Sequence, residues 1–253
     1  MPTITGLVLT HNEEDFIEEC LTSIVWVDQI IVIDSESSDR TVEICRKFTD
    51  KIFIRPFDDF ANQRNYGLEK IKTDWVLVID ADERVSKELK NEIIKTISNS
   101  SFEGYMIPRK NIFLNKWIKH GGWYPDYALR LFKNNKSRYT GKVHEHIRIE
   151  GTIGKLKQDL IHFTYRNIAH YLSKMNKYTT LWAAERHSQG RRTNFLWILL
   201  RPSLEFAKVY LAKWGFLSGA QGFIIARLSA YYQFLKYSKL WELQKKIATN
   251  SNN

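Results

Sequence analysis

Residues 76–85 read VLVIDADERV: four apolar residues run straight into Asp80 and Asp82, with a single alanine between the carboxylates. The apolar run predicts a buried strand, and a strand that ends in paired carboxylates needs a reason. Like charges repel, and a carboxylate buried without a partner is costly. Two readings are open. Either the strand has reached the surface and a helix begins, or the pair waits for a cation and the anion that the cation carries.

The same punctuation occurs twice upstream. TITGLVLT (3–10) is a short β-branched run that breaks into His11-Asn12-Glu13, and DQIIVID (28–34) breaks into a Ser/Asp-rich loop at Asp34. Helical spacing is expected over 11–26, 41–50 and 60–71, with further strands at 51–57 and 75–83. SKELKNEIIKTIS (86–98) then reads as a helix with Ser86 as its N-cap. Strand and helix in alternation predict crossover connections and a mostly parallel α/β sheet covered on both faces. Ligands of such sheets bind at the carboxyl ends of the strands. The His11–Glu13, Asp34–Asp39 and Asp80–Asp82 clusters should therefore converge on one crevice.

From Tyr105 to Phe163 the pattern turns to shorter strands, at 104–113, 123–133, 143–151 and 160–165, read as antiparallel additions to the sheet. From Asn167 onward the chain reads as helical, aromatic and basic, with Phe, Trp and Leu among Lys and Arg at spacings of three and four. Such helices either pack with a solvated basic face or lie in a membrane interface. The chain thus divides into a first half of the α/β domain (1–103), its second half (104–166) and a helical region (167–248).

Composition narrows the function. A chain of 253 residues that is 43% apolar and 13% aromatic has ample material for a core. Cys20 and Cys45 alone do not make a disulfide framework and suit a reducing compartment. No basic leader with a long apolar core opens the chain, so no secretory signal is expected. WGFLSGAQGFIIA, between Lys213 and Arg227, has 13 residues against the roughly 20 of a spanning helix. A cytoplasmic protein is expected, peripheral on a membrane at most. The net charge of +10 conceals a division: residues 1–103 hold 12 basic and 21 acidic side chains, and residues 104–253 hold 26 and 7. An acidic half suits metal work; a basic half suits an anionic partner.

Other chemistries lack their motifs. Neither G-x-x-x-x-G-K-[ST] nor G-x-G-x-x-G follows the first strand, which argues against an ATPase and an ordinary dinucleotide enzyme. HEHI (144–147) is not the H-E-x-x-H of a zinc protease, and no PCxxC accompanies it. Oxygen ligands at a sheet's active edge suit Mg²⁺ or Mn²⁺, which complete their shells with water and substrate phosphates. One aspartate of the pair can bind the cation while the other accepts a ribose hydroxyl or orients the first.

LVLTHNEEDFIEECLTSI, IIVIDSESSDRT, ANQRNYGLEKIKTDWVLVIDADE and RLFKNN…GKVHEHI together resemble the family-2 glycosyltransferases of the GT-A fold, which use nucleotide sugars. The C-terminal RPSLEFAKVYLAKWGFLSGAQGFIIARLSAYYQFLKYSKLWE is similar to a signature of bacterial transferases that add glucose or a related sugar to the lipopolysaccharide inner core. The resemblance implies a GT-A, Rossmann-like sheet with an antiparallel acceptor-side extension, a UDP-sugar donor and an inverting displacement. It makes Asp80 a ribose or diphosphate contact and Asp82 the ligand of Mg²⁺ or Mn²⁺. His11, Asn12, Glu13 and Asp34 would grip the nucleoside, and Arg64 would face the base or the diphosphate; otherwise Arg64 is a surface helix arginine. His162 completes the metal shell or is a structural histidine.

Family members often carry a Glu-Asp pair as catalytic base, and this chain has VHEHI at about that place. Glu145 is the first candidate, since a base must reach the acceptor hydroxyl. Asp126 is the second, unless it pairs with Arg130. The acceptor implied is an anionic glycolipid at the cytoplasmic face of the inner membrane, which matches the basic half; exopolysaccharide, teichoic acid or protein acceptors are the alternatives. No nucleic-acid-binding motif is present, and nucleic acid is not an expected partner.

Overall fold

The computed structural model describes residues 1–134, 137–141 and 146–250. It forms two compact units, Met1–Lys110 with Asp126–His162, and Asn111–Pro125 with the chain from Phe163 onward.

The first unit opens with β1 (Ile4–Thr10), α1 (Ile17–Ser23), β2 (Gln29–Asp34), α2 (Thr41–Cys45), β3 (Ile52–Ile54), α3 (Phe60–Leu68), β4 (Trp75–Asp80), β5 (Glu83–Val85) and α4 (Lys87–Ser98). β1 pairs in parallel with β2 on one side and β4 on the other, and β2 pairs in parallel with β3. Side chains alternate across this sheet. Leu7, Ile31, Ile33, Val76 and Val78 join one buried cluster with Ala61 of α3, while Val8, Val32, Leu77 and Ile79 join another with α1 and α4. Hydrocarbon on both faces is what a parallel sheet covered by crossover helices requires. Contact with α3 is close: a Cβ on Gly67 would lie 2.5 Å from Leu7 Cδ1, so a larger residue there would force the buried leucine to shift. Ser86 caps α4 as expected, its Oγ accepting from the Leu89 N–H at 3.1 Å.

The remaining strands are β6 (Gly104–Phe113), β7 (Lys116–Trp117), β8 (Asp126–Lys133), β9 (Arg138–Thr140), β10 (His146–Arg148), β11 (Ile153–Lys155) and β12 (Leu160–Tyr165). The main sheet runs β3-β2-β1-β4-β8-β6-β12-β5. From β4 onward its pairings turn antiparallel, β4 with β8, β8 with β6 and β12 with β5. The expected architecture of a parallel half, an antiparallel extension and C-terminal helices is the observed one.

Three local differences stand out. The helix expected from residue 11 begins only at Ile17, because Asn12 takes a left-handed conformation (φ 54°) and the Glu13 carbonyl closes a turn onto the N–H groups of Phe16 and Ile17. The strand expected over 75–83 ends at Asp80, and after the turn the chain forms a separate strand, β5, with Glu83 and Arg84 buried. Buried charge of that kind leaves no apolar pattern to read. Lastly, the strand expected over 143–151 does not extend the main sheet: β10 pairs with β9 in a separate two-stranded sheet, and β11, which lies outside the expected strands, joins β6 in parallel.

The second unit is built on α5 (Ile168–Ser188), α6 (Phe195–Ala207), a π-helical turn at Lys208–Ala212, a 3₁₀ turn at Gly215–Ser218 and α7 (Gly219–Asn250). α7 packs against both α5 and α6. Its core gathers Phe113, Ile118, Val209, Ile225 and Ala226. Among the described residues, no helix is long and apolar enough to cross a membrane.

Candidate active site

Register brings the strand ends together. Thr10 pairs with Asp34 and Leu9 with Asp80, so Asp34 and Asp80 flank the end of β1, about 10 Å apart at ordinary strand spacing. The loops that follow are joined to each other. His11 Nδ1 meets the Ser35 carbonyl at 2.7 Å, the Asn12 N–H donates to Ser37 Oγ at 2.8 Å, and the Ser38 N–H donates to Asn12 Oδ1 at 2.8 Å. The Glu13 N–H donates to Thr41 Oγ1 at 2.8 Å. Asp34 is fully buried and accepts from the Ser37 N–H and hydroxyl. His11, Asn12, Glu13 and Asp34 thus line two adjacent strand ends, and part of their bonding capacity already fixes the loops.

Asp80 stands between two arginines. Arg64 Nη2 donates to Asp80 Oδ1 at 3.1 Å, and Arg130 Nη2 donates to Asp80 Oδ2. Arg64 is not a surface residue; it is buried, and its guanidinium also lies over the Tyr139 ring, 5.3 Å from its centroid. Asn65 holds Tyr139 in place by accepting its N–H and donating to its carbonyl. Beneath Asp80 lies Glu83, wholly buried, which accepts from Arg130 at 2.6 Å and from the Asp80 N–H at 3.0 Å. Burial pushes the Asp80 carboxyl up, but the Arg130 and Arg64 guanidiniums more than reverse this and hold it below the ordinary carboxylate range. Burial, reinforced by Asp80, pushes the Glu83 carboxyl up despite Arg130 and Arg109. The Arg130 guanidinium, in turn, is held firmly charged against its burial by Asp80 and Glu83.

Asp82 sits at the turn between β4 and β5. Because β5 pairs with β12 so that His162 faces Glu83, the histidine arrives beside Asp82, with Nε2 and Oδ2 3.6 Å apart. No cluster of three or more His, Cys, Asp or Glu side chains that could hold a metal occurs among the described residues. One carboxylate and one imidazole still fit a hard divalent cation, which keeps waters and takes substrate phosphates as its other ligands.

Asp126 opens β8 and pairs with Arg109 at 2.7 Å. The Arg130 partnership considered for it does not form, because Arg130 is engaged by Asp80 and Glu83. Glu145 lies outside the described residues.

Sequence reading missed Glu83, Arg109, Arg130 and Tyr139. Glu83 and Arg130 were within motifs already singled out, DADE and RLFK, but what ties them is separated by 47 residues of chain.

The model for glycosyl transferase family 2 matches residues 7–171, a span that includes every side chain of this crevice. The chain belongs to glycosyl transferase family 2. This transferase is 29% identical, over 94% of its own length and 92% of the relative's, to the lipopolysaccharide core biosynthesis glycosyltransferase LpsC of Rhizobium meliloti (strain 1021). It is 26% identical to an uncharacterized glycosyltransferase of Rickettsia bellii, over 95% of this chain and 86% of that one. Among solved structures, S. aureus TarS 1-349 in complex with UDP-GlcNAc aligns over 96% of this chain and 92% of the other, at 15% identity and a TM-score of 0.49.

Proposed function

We propose that the protein is an inverting hexosyltransferase that moves glucose from UDP-glucose onto the lipopolysaccharide inner core, working peripherally at the cytoplasmic face of the inner membrane. The observation that carries this reading is the placing of Asp34 and Asp80 at neighbouring strand ends, with Arg64 of α3 bonded to Asp80 and the Asp82–His162 pair in the turn that follows, within a family-2 domain. The relative that acts in lipopolysaccharide core biosynthesis supports the acceptor class.

In this reading Glu13 and Asp34 accept hydrogen bonds from the uracil and ribose, with His11 and Asn12 shaping the same wall. Asp80, kept ionised by its two arginines, accepts a ribose hydroxyl or orients the diphosphate, and Arg64 faces that diphosphate. Asp82 and His162 hold Mg²⁺ or Mn²⁺, which when bound neutralises charge on the diphosphate. Glu145 takes the proton from the acceptor hydroxyl as its oxygen attacks the anomeric carbon; that carbon's bond to the diphosphate oxygen breaks, and UDP leaves. Asp126 is the alternative base.

The test is UDP release from a panel of UDP-sugars with Mn²⁺, Mg²⁺ or EDTA, with and without truncated lipopolysaccharide core. Release that requires UDP-glucose, a divalent cation and the core is expected. Glu145→Ala or Asp126→Ala should suppress it, whichever carboxylate is the base, by about 10²–10⁴. Activity with another acceptor would redirect the acceptor assignment, and no release with any UDP-sugar would end the reading.

A further inference from the structure

α6 contradicts the usual relation between hydrocarbon and solvent. It has 13 residues, none of them buried. Residues Ile198, Pro202 and Phe206, on one side, are partly covered, as expected of the side turned to α7. The other side, at positions 196, 199, 200 and 204, carries four leucines that are 57, 57, 41 and 59% exposed. At helical spacing these four form one stripe. In the turns that follow, Trp214 and Leu217 are also more than half exposed.

Exposed cations flank this helix along the chain. Arg191 and Arg192 precede α6, Arg201 lies at its edge with the guanidinium 4.4 Å from the Trp197 ring centroid, and Lys213 follows; all four are exposed. Lys208, by contrast, is offset by Glu205 at 3.1 Å. Aliphatic and aromatic side chains within a rim of arginine and lysine match an anionic bilayer surface, with hydrocarbon entering the acyl boundary and cations meeting the headgroups. A second copy fits poorly, since a two-fold contact through this face would set the same cations against themselves. Spanning is ruled out for this helix by its length.

We propose that α6 and the turns after it form an in-plane insertion element for anionic membranes, seating Leu196, Leu199, Leu200, Leu204, Trp214 and Leu217 in the interface. This deepens the proposed function, because a glycolipid acceptor would lie in the same surface, but it stands on the second unit alone.

The test is co-sedimentation of the full chain with vesicles of phosphatidylethanolamine and phosphatidylglycerol, against vesicles of phosphatidylcholine. Binding to the anionic vesicles is expected to be about tenfold or more tighter, and to weaken between about 0.1 M and about 0.5 M salt. Leu200→Glu with Leu204→Glu should weaken it about tenfold or more, as should Arg191→Glu with Arg192→Glu, with unchanged circular dichroism. Failure of the wild-type chain to bind anionic vesicles, or variants that bind as it does, would overturn the proposal. So would a dimer in sedimentation velocity that the leucine variant dissociates. UDP release measured without vesicles reports on the proposed function separately, so either reading can fail without the other.

Discussion

Arg130 in the first unit and Leu204 in the second break the same burial rule in opposite directions. Arginine is rarely fully buried, yet Arg130 is 5% exposed; Leu204 is 59% exposed in a well-formed helix. Arg130 is compensated from within, by Asp80 and Glu83, whereas nothing in α6 covers Leu204. An anomaly that the protein satisfies internally is part of its own scaffold. One that it leaves open points to something outside the chain. The largest expected effect follows from the first kind: Arg130→Met should cost about 3–5 kcal/mol, because it removes the guanidinium that bonds both buried carboxylates and leaves Asp80 only Arg64 and Glu83 only the more distant Arg109. Urea unfolding followed by tryptophan emission measures it. An unchanged midpoint would mean that the buried charges are not interdependent, and the contrast would collapse.

Next in size is a loss of rate without a loss of stability. Asp82, unlike Glu83, is one-fifth exposed, and among the described residues its ion-pair partner is His162. Removing one electrostatic contact to a leaving group commonly costs about 10²–10³ in rate. Asp82→Ala is therefore expected to lower UDP release by that factor at an unchanged unfolding midpoint. Arg130→Met should lower both. If Asp82→Ala were as destabilising as Arg130→Met, Asp82 would belong to the scaffold and not to the donor site.

The parallel half was legible because its strands are continuous apolar runs, and each ends in a polar cluster that the crossover topology must bring to one edge. β5 was not legible. Its three residues, Glu83-Arg84-Val85, are buried through pairing with β12 and through Arg130, neither of which is local in sequence. Arg64 was suspected from ANQRN, but its burial depended on Tyr139, which is fixed by Asn65 from 74 residues away. In the second unit the helical period was plain, while the exposed side of α6 was not. Leucine and isoleucine occupy both of its sides, so no apolar stripe distinguishes inside from outside.

A smaller effect probes the loops that join the strand ends. Asp39 accepts from the Thr41 hydroxyl and N–H and from the Glu14 N–H, at 2.5, 3.0 and 3.2 Å. Burial, the largest single influence, raises its carboxyl, but these bonds, Thr41's first, together bring it below its ordinary value of 3.8. A depressed carboxylate stabilises the fold above that value and loses its contribution as pH falls below it. Asp39→Ala should cost about 1–2 kcal/mol near neutral pH. The gap between wild type and variant should hold from about pH 7 to about pH 4 and narrow below that as denaturation is repeated at lower pH. A gap that stays constant would show that the carboxylate's charge is not what holds the loop.

The smallest effect is the most telling about the second unit. Leu77, fully buried in β4, should cost about 2–5 kcal/mol when truncated to alanine, because it leaves a cavity in a packed sheet. Leu204→Ser should change stability by no more than about 0.5 kcal/mol, since a side chain that is mostly in water has little burial to lose. Paired thermal melts of the two variants in detergent-free buffer measure the difference. A large loss from Leu204→Ser would mean that the exposed side of α6 is covered in solution by the chain itself or by a copy of it. A negligible loss leaves a leucine that folding does not use, on a helix edged with arginine, and its retention then has to be accounted for by what the helix meets when the protein is at work.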